Sequence, residues 1–495
     1  NRISHYRRPQ QSFIINSFIN PIMSTIRLFY GRDTADMVRR IRDAAQRAEG
    51  SLGCPSTHPH VSRLEVRETV LEDEVIDAIV DLIHKQQHGL DTVNLDDCGA
   101  YMNKQSIQMA KALGQCRDVR LSEPTFLSNF FLESFLIHAT RLTTLRIQDR
   151  LRKDQIEALA KGLTINTSLQ HLDLSRSRLL QDTTSILADG LKHNTTLRSL
   201  RLRSLCLKDD DVDVLLAALK NHPTLEVLDL SFNSCRQMKS LSAFLQGNTT
   251  IRELHIGYQN MWQSGRLDVT QLVDALAINT STIEYLSIPR CKITDDDMMV
   301  ISNALRQNTT LKHLDVRENH LTDIGIESLA YSISDKDSQS KLRSLSIIKN
   351  TSITTVGWNA LLHAVRTNWN VCYVDIAAGK YYQHHENNNP TIVQQQIQFY
   401  TALNRVGIRN VLADDDDHRT ISLWPLILER LGKIDWDNNV DDGLDDNEFG
   451  SVGSIRSRSS SLSSNDDNDD SSNGSSMDLS SCDEKSGKNN KNQRD

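Results

Sequence analysis

Apolar residues recur along the chain in one phrase, LxxLxL. Nine clear copies run Leu142-Leu145-Ile147, Leu169-Leu172-Leu174, Leu197-Leu200-Leu202, Leu225-Leu228-Leu230, Ile251-Leu254-Ile256, Ile283-Leu286-Ile288, Leu311-Leu314-Val316, Leu342-Leu345-Ile347 and Val371-Val374-Ile376. Weaker copies precede them at Val61-Leu64-Val66, Leu90-Val93-Leu95 and Cys116-Val119-Leu121. The twelve copies start 26 to 32 residues apart, a regularity that scattered leucines do not produce. The alternation in LxL puts two side chains on one face of a short strand. After it the period changes. Ile156, Leu159, Ala160 and Leu163, or Val212, Leu215, Leu216 and Leu219, are spaced three and four apart, the stripe of an amphipathic helix. Each unit therefore reads strand, loop, helix. One unit alone buries too little apolar surface to offset the entropy of ordering it, so the units are expected to stack and share a continuous core.

The unit boundaries carry their own chemistry. Asp209-Asp210-Asp211 and Asp295-Asp296-Asp297 open helices, where carboxylates meet free N–H groups and the positive end of the helix dipole. Asn166, Asn194, Asn248, Asn279 and Asn308 follow the last helical leucine, where a residue tolerant of the left-handed conformation is expected to close the helix. The same asparagines read as N-x-[ST] acceptors, but they keep the phase of the repeat, which favours helix termination over glycosylation.

The phrase LxxLxLxx(N/C)xL with a helix in each period resembles the ribonuclease-inhibitor-like subfamily of leucine-rich repeats. The resemblance covers residues 61–380. It implies an α/β solenoid, a horseshoe with parallel strands on the concave face and helices on the convex face. It also implies that the ninth position hydrogen-bonds backbone between adjacent turns. Cys98, Asn233, Cys291, Asn319 and Asn350 fill that position, and Thr69 and Ser177 partly suit it. Pro124, Arg150, Leu205 and Gln259 do not fit, so local irregularity is expected there.

Five segments follow. Residues 1–32 receive no structure, and a start at Met23 stands as an alternative to Asn1. Residues 33–60 form an N-terminal helical cap and loop, with Met37, Ile41, Ala44 and Ala48 on one stripe. Residues 61–380 are the array. Residues 381–435 form a helical cap over its last unit, with helices at 391–411 and 421–434. Residues 436–495, rich in Ser, Asn and Asp, have too few apolar groups to offset ordering and form a disordered tail.

Charge sharpens that division. The chain of 495 residues carries a formal −8, yet residues 435–495 hold 15 acidic against 6 basic residues and so carry −9. The remainder is nearly neutral, which gives it no overall bias toward nucleic acid or anionic membrane. Within the tail, Asp437, Asn439, Asp441, Asp445 and Glu448 fall at calcium-loop spacing. Asp442 stands where such a loop needs glycine, so an acidic run is the preferred reading. Ser463, Ser464, Ser480 and Ser481 precede acidic residues at a spacing suited to phosphorylation.

Eight scattered cysteines without CxxC pairs suit a reducing compartment, the cytoplasm or nucleus, and no run of 18 apolar residues suggests a membrane span. No phosphate-binding loop, HExxH or nucleophile motif is present, so neither cofactor, metal nor catalytic residue is assigned. His58, His60, His384 and His385 read as loop residues.

Candidate binding residues lie between and just after the inward leucines. Arg120, Arg146, Arg176, Arg201 and Arg203 form a basic group interleaved with Asp118, Asp149 and Asp173. Phe232, His255, Tyr258, Tyr285, Arg290, His313 and Arg317 form an aromatic and mixed group, with Met261, Trp262 and Gln263 as a lip beside Tyr258. Aromatic residues and Arg anchor protein interfaces. The expected function is a monomeric, non-enzymatic scaffold with a protein partner on the concave face and with neither membrane nor nucleic-acid binding. The alternative is a small-GTPase regulator, because Ran-type GTPase activators also combine such repeats with an acidic tail.

Overall fold

A computed structural model describes residues 25–29, 34–50, 61–86, 90–100, 103–179, 183–259, 266–277, 282–375 and 392–405. They fall into two compact units, Asn1–Thr401 and Ala402–Asp495; of the second only Ala402–Arg405, the end of the helix Ile392–Arg405, is described. The tail, the calcium-like run and the expected helix at 421–434 lie outside the described residues.

Among the described residues thirteen strands form one parallel sheet in sequential order, each hydrogen-bonded to the next along the chain. Twelve of them carry the twelve LxxLxL phrases. The central leucines stay in register from unit to unit: Leu145 pairs with Leu172, Leu172 with Leu200, Leu200 with Leu228, Leu228 with Leu254, and so on to Leu345 with Val374. Helices alternate with strands and pack against one another along the other face. Ile156, Leu159 and Leu163 of the helix Lys153–Ile165 are fully buried, as are Val212, Leu216 and Leu219 of Asp209–Leu219. The result is an open solenoid with one apolar core running its length.

The thirteenth strand corrects the reading of the N-terminus. Thr25–Leu28 pairs in parallel with the strand Arg63–Leu71, Ile26 against Leu64 and Leu28 against Val66, ahead of the point from which the sequence suggests structure. With the helix Thr34–Gly50, whose Met37, Ile41 and Ala44 are buried, it makes a first strand–helix unit. At the other end Ile397 joins the core, and the Arg366 guanidinium lies 5.2 Å from the Tyr400 ring centre.

Three rows of side-chain bonds run from unit to unit. The first is the ninth position of the phrase. Asn233 Nδ2 donates to Leu202 O of the preceding unit at 2.8 Å while its Oδ1 accepts from Leu205 and Leu207 N–H. Asn319 and Asn350 repeat this, and the Cys98 and Cys291 thiols reach Val66 O and Ile256 O at 3.4 Å. Gln259 overturns the expectation of a misfit. It is buried, its Nε2 donates to Leu230 O at 2.8 Å and its Oε1 accepts from Cys235 N–H, so the longer amide does what asparagine does elsewhere. Leu205 instead joins the core. The irregularity expected at Arg150 appears as an extra two-residue strand, Arg150–Leu151, paired with Arg178–Leu179.

The second row corrects the helix-closing asparagines. Asn166, Asn194, Asn248 and Asn308 are extended, with φ between −74° and −95°, not left-handed. Each is buried. Asn194 Nδ2 donates to Leu163 O of the preceding unit at 2.7 Å, and its Oδ1 accepts from Thr196 and Leu197 N–H. Asn166, Asn248 and Asn308 do the same. The third residue of the N-x-[ST] pattern also points back: Thr196 and Thr250 hydroxyls donate to Leu169 O and Leu225 O. The pattern is a splice between units, and its buried amides are inaccessible to a glycan. Asn279 lies outside the described residues.

The third row involves the helix-opening aspartates. Asp295 Oδ1 accepts the N–H groups of Thr322 and Gly325, and Asp323 Oδ1 those of Thr354 and Gly357. These carboxylates cap the next helix as well as opening their own. Gly325 is required by the arrangement, since a Cβ there would lie 2.5 Å from Asp295 Oδ1.

Candidate functional site

The turn after each strand sets up the site. The eighth position of the phrase has φ between 48° and 63° at Glu68, Asp97, Glu123, Arg176, Ser204, Phe232, Tyr258, Arg290, Glu318 and Lys349, none of them glycine. Left-handed backbone is unfavourable for such residues by about 1–2 kcal/mol each. The chain recovers part of it along the stack: Phe232 N–H donates to Gly257 O, Tyr258 N–H to Pro289 O, Arg290 N–H to Arg317 O and Glu318 N–H to Ile348 O. The turn thus holds the eighth side chain beside the strand face in unit after unit.

On this frame the aromatic candidates come together. Phe232 and Tyr258 stack at 4.2 Å between centroids and 6° between planes, and the Arg203 guanidinium lies 5.0 Å from the Phe232 ring centre. A second cluster lies on the strands: Tyr285 pairs in register with His313, their rings 5.8 Å apart, and His255, diagonally across the register on the preceding strand, sits 5.1 Å from Tyr285. Arg317 pairs with Asp315 at 3.0 Å, Ser287 Oγ donates to Asp315 Oδ2, and Tyr258 OH donates to Glu318, which also holds Lys349 at 2.9 Å. Burial, then Asp315, pushes the Tyr285 phenol up to about 12, and burial followed by Lys312 and Arg343 brings His313 down to about 4. Both rings are thus neutral at physiological pH.

Arg120, Arg146 and Arg201 lie in one mid-strand row with Asp173 between the last two. Asp118 holds Arg120 at 2.7 Å, and Asp229 lies 3.6 Å from Arg203. Burial and then the Arg120 charge lower Arg146, whose Nε is buried without a partner. Burial, then Arg201 and Arg198, likewise lowers His171. Arg176 and Arg290 are exposed on left-handed turns. Trp262, with Met261 and Gln263, lies outside the described residues. The sequence presents the basic and aromatic groups as separate; Arg203 over Phe232 joins them. Asp229, Asp315, Glu318 and Lys349 complete the surface and were missed, although aligning the fifth and eighth positions of every copy places them in the same rows.

A sequence profile described as Leucine Rich repeat matches residues 307–330. The chain is a leucine-rich repeat protein. Among curated proteins, this leucine-rich repeat protein is 30% identical over 152 residues to the mouse (Mus musculus) NACHT, LRR and PYD domains-containing protein 14, covering 31% of this chain and 14% of that one. The human (Homo sapiens) NACHT, LRR and PYD domains-containing protein 13 matches at 25% over 183 residues, 37% of this chain and 16% of its own. The chain thus spans under a fifth of the length of either relative. An internalin of Listeria monocytogenes aligns with a TM-score of 0.37 at 14% identity, covering 69% of this chain and 97% of its own. Yeast Rad7 in complex with Elc1 gives 0.34 at 16% identity, with 70% and 77% covered. Leucine-rich repeat proteins are in general protein-interaction scaffolds. Among the described residues no helix of this one is long and apolar enough to cross a membrane.

Proposed function

We propose that this leucine-rich repeat protein is a non-enzymatic scaffold, a monomer of the cytoplasm or nucleus, that engages a protein partner on its concave strand face. The observation that carries the reading is the run of ring and guanidinium contacts over consecutive units: Arg203, Phe232 and Tyr258 at the turns, and His255, Tyr285 and His313 on the strands. Rings held by their neighbours lose little conformational freedom on binding, which favours their use as anchors.

Replacing Tyr258, Trp262 and Tyr285 together with Ala tests the reading. Crosslinking mass spectrometry in cell extract should lose the partner peptides that the parent chain captures on this face, while far-UV circular dichroism stays unchanged. Undiminished capture by the folded variant would refute the site. Stimulated GTP hydrolysis across a panel of small GTPases tests the alternative expectation, and a flat response discards it.

A further inference from the structure

We infer that the occupant of the strand face is an extended acidic peptide segment, with carboxylates seated on Arg146 and Arg201 and an apolar side chain about seven residues away packed on the rings around Tyr285. The inference rests on the reading of the strand face as the interaction surface and adds the chemistry and spacing of what lies there.

Charge sets one end. Asp118 holds Arg120, Asp229 faces Arg203, and Asp173, which accepts the Ser175 N–H at 3.0 Å, is the single carboxylate set between Arg146 and Arg201. Arg146 and Arg201 form no salt bridge among the described residues, and Arg146 Nε is a buried donor without an acceptor. Two half-buried guanidiniums without an ion pair leave positive charge that an incoming carboxylate can meet. Glu123 and Asp149 flank this row on the turn side, so their repulsion keeps an acidic segment over the mid-strand arginines.

Ring geometry sets the other end. Phe232 lies between Arg203 and Tyr258 along the stack, and Tyr285 between His255 and His313. Phe232 and Tyr285 are thus each flanked by two neighbours, which leaves mainly the edges of these two rings for an aliphatic or aromatic side chain and makes them poor platforms for a nucleobase. That geometry favours a peptide over single-stranded nucleic acid, the other anionic polymer suited to a basic row.

Spacing joins the two ends. Five sheet steps separate the Arg146 strand, Thr144–Gln148, from the Tyr285 strand, Tyr285–Ser287. At about 4.8 Å per step the span is roughly 24 Å, the reach of about seven extended residues.

The test selects random peptides displayed on phage against the immobilised full chain. Enriched peptides should carry Asp or Glu about seven positions from a Trp, Phe, Leu or Met. Arg146→Ala with Arg201→Ala should weaken their binding by about tenfold and flatten its salt dependence, whereas Tyr285→Ala should weaken it to a similar degree with the salt dependence kept. Enriched peptides without acidic residues, binding indifferent to the two arginine changes, or no enrichment at all would each overturn the inference. So would competition by polyuridylate with loss of peptide binding. Photocrosslinking separates the two levels: peptides bound on the strand face without the acidic pattern sink only this inference, whereas peptides bound on the helix face sink the strand-face reading as well.

Discussion

The splice between units is complete at Asn166, Asn194, Asn248 and Asn308, but the equivalent residue after the helix Asp209–Leu219 is His222. The residue is 5% exposed, Nδ1 accepts the Thr224 N–H at 3.4 Å, and Nε2 is buried without a partner. Burial brings its pKa from 6.5 down to about 4. Because the folded value lies below the unfolded one, protons favour the unfolded chain, and stability is lost as pH falls from 6.5 toward 4. Between pH 7 and pH 5 the loss is about 2 kcal/mol, since each tenfold excess of protons costs about 1.4 kcal/mol until the folded ring titrates. His222→Asn should restore the bond to the preceding unit, worth about 1 kcal/mol at pH 7, and remove the titration. The variant's advantage should therefore grow from about 1 kcal/mol at pH 7 to about 3 kcal/mol at pH 5. Urea titrations followed by circular dichroism at both values measure it, and the buried His313 contributes equally to both chains and cancels. A variant no more stable than the parent at pH 5, or one with an unchanged pH dependence, would refute the argument.

Three further outcomes follow from the rows of bonds. Asn319→Ala leaves buried N–H and C=O groups of two units unmet and should lower stability by about 3–4 kcal/mol, whereas Asn319→Cys keeps a donor to Ile288 O, as Cys98 and Cys291 do, and should lose about half as much by urea unfolding. Gly325→Ala should cost about 1–3 kcal/mol by displacing Asp295, and the cost should shrink when Asp295→Ala is already present, a coupling that a double-mutant cycle measures. Phe232→Gly relieves its left-handed backbone yet loses the stack with Tyr258, so melting should show a net change under about 1 kcal/mol alongside a clear loss of partner capture.

The repeat was legible because a leucine triplet fixes both a face and a phase, and each central leucine lies on the strand it foretold. The strand Thr25–Leu28 was not, since four residues without a full copy of the phrase carry no period. The asparagines show a different limit. Their position at the helix end is visible in one unit, but their bonds reach into the preceding unit, and a residue read within its own unit suggests a left-handed stop where the backbone is extended. Gln259 was misread for a related reason, because its fit depends on reach to Leu230 O across the junction. The candidate surface was legible as residue types. Its pairings, Arg203 with Phe232 or Tyr285 between two histidines, follow only from how neighbouring turns and strands stack, since His255 lies diagonal to Tyr285 in the sheet register.

The rows of bonds between units also govern how the array bears force. Tension applied along the stack loads every junction in series, so the weakest one opens first while the others hold. At the splice carrying His222 an imidazole with an unmet Nε2 stands where its neighbours on either side, Asn194 and Asn248, have a doubly bonded amide. Within the run of spliced junctions from Asn166 to Asn308, extension is therefore expected to begin at His222, between the basic units and the aromatic ones, and to separate the two ends of the recognition surface.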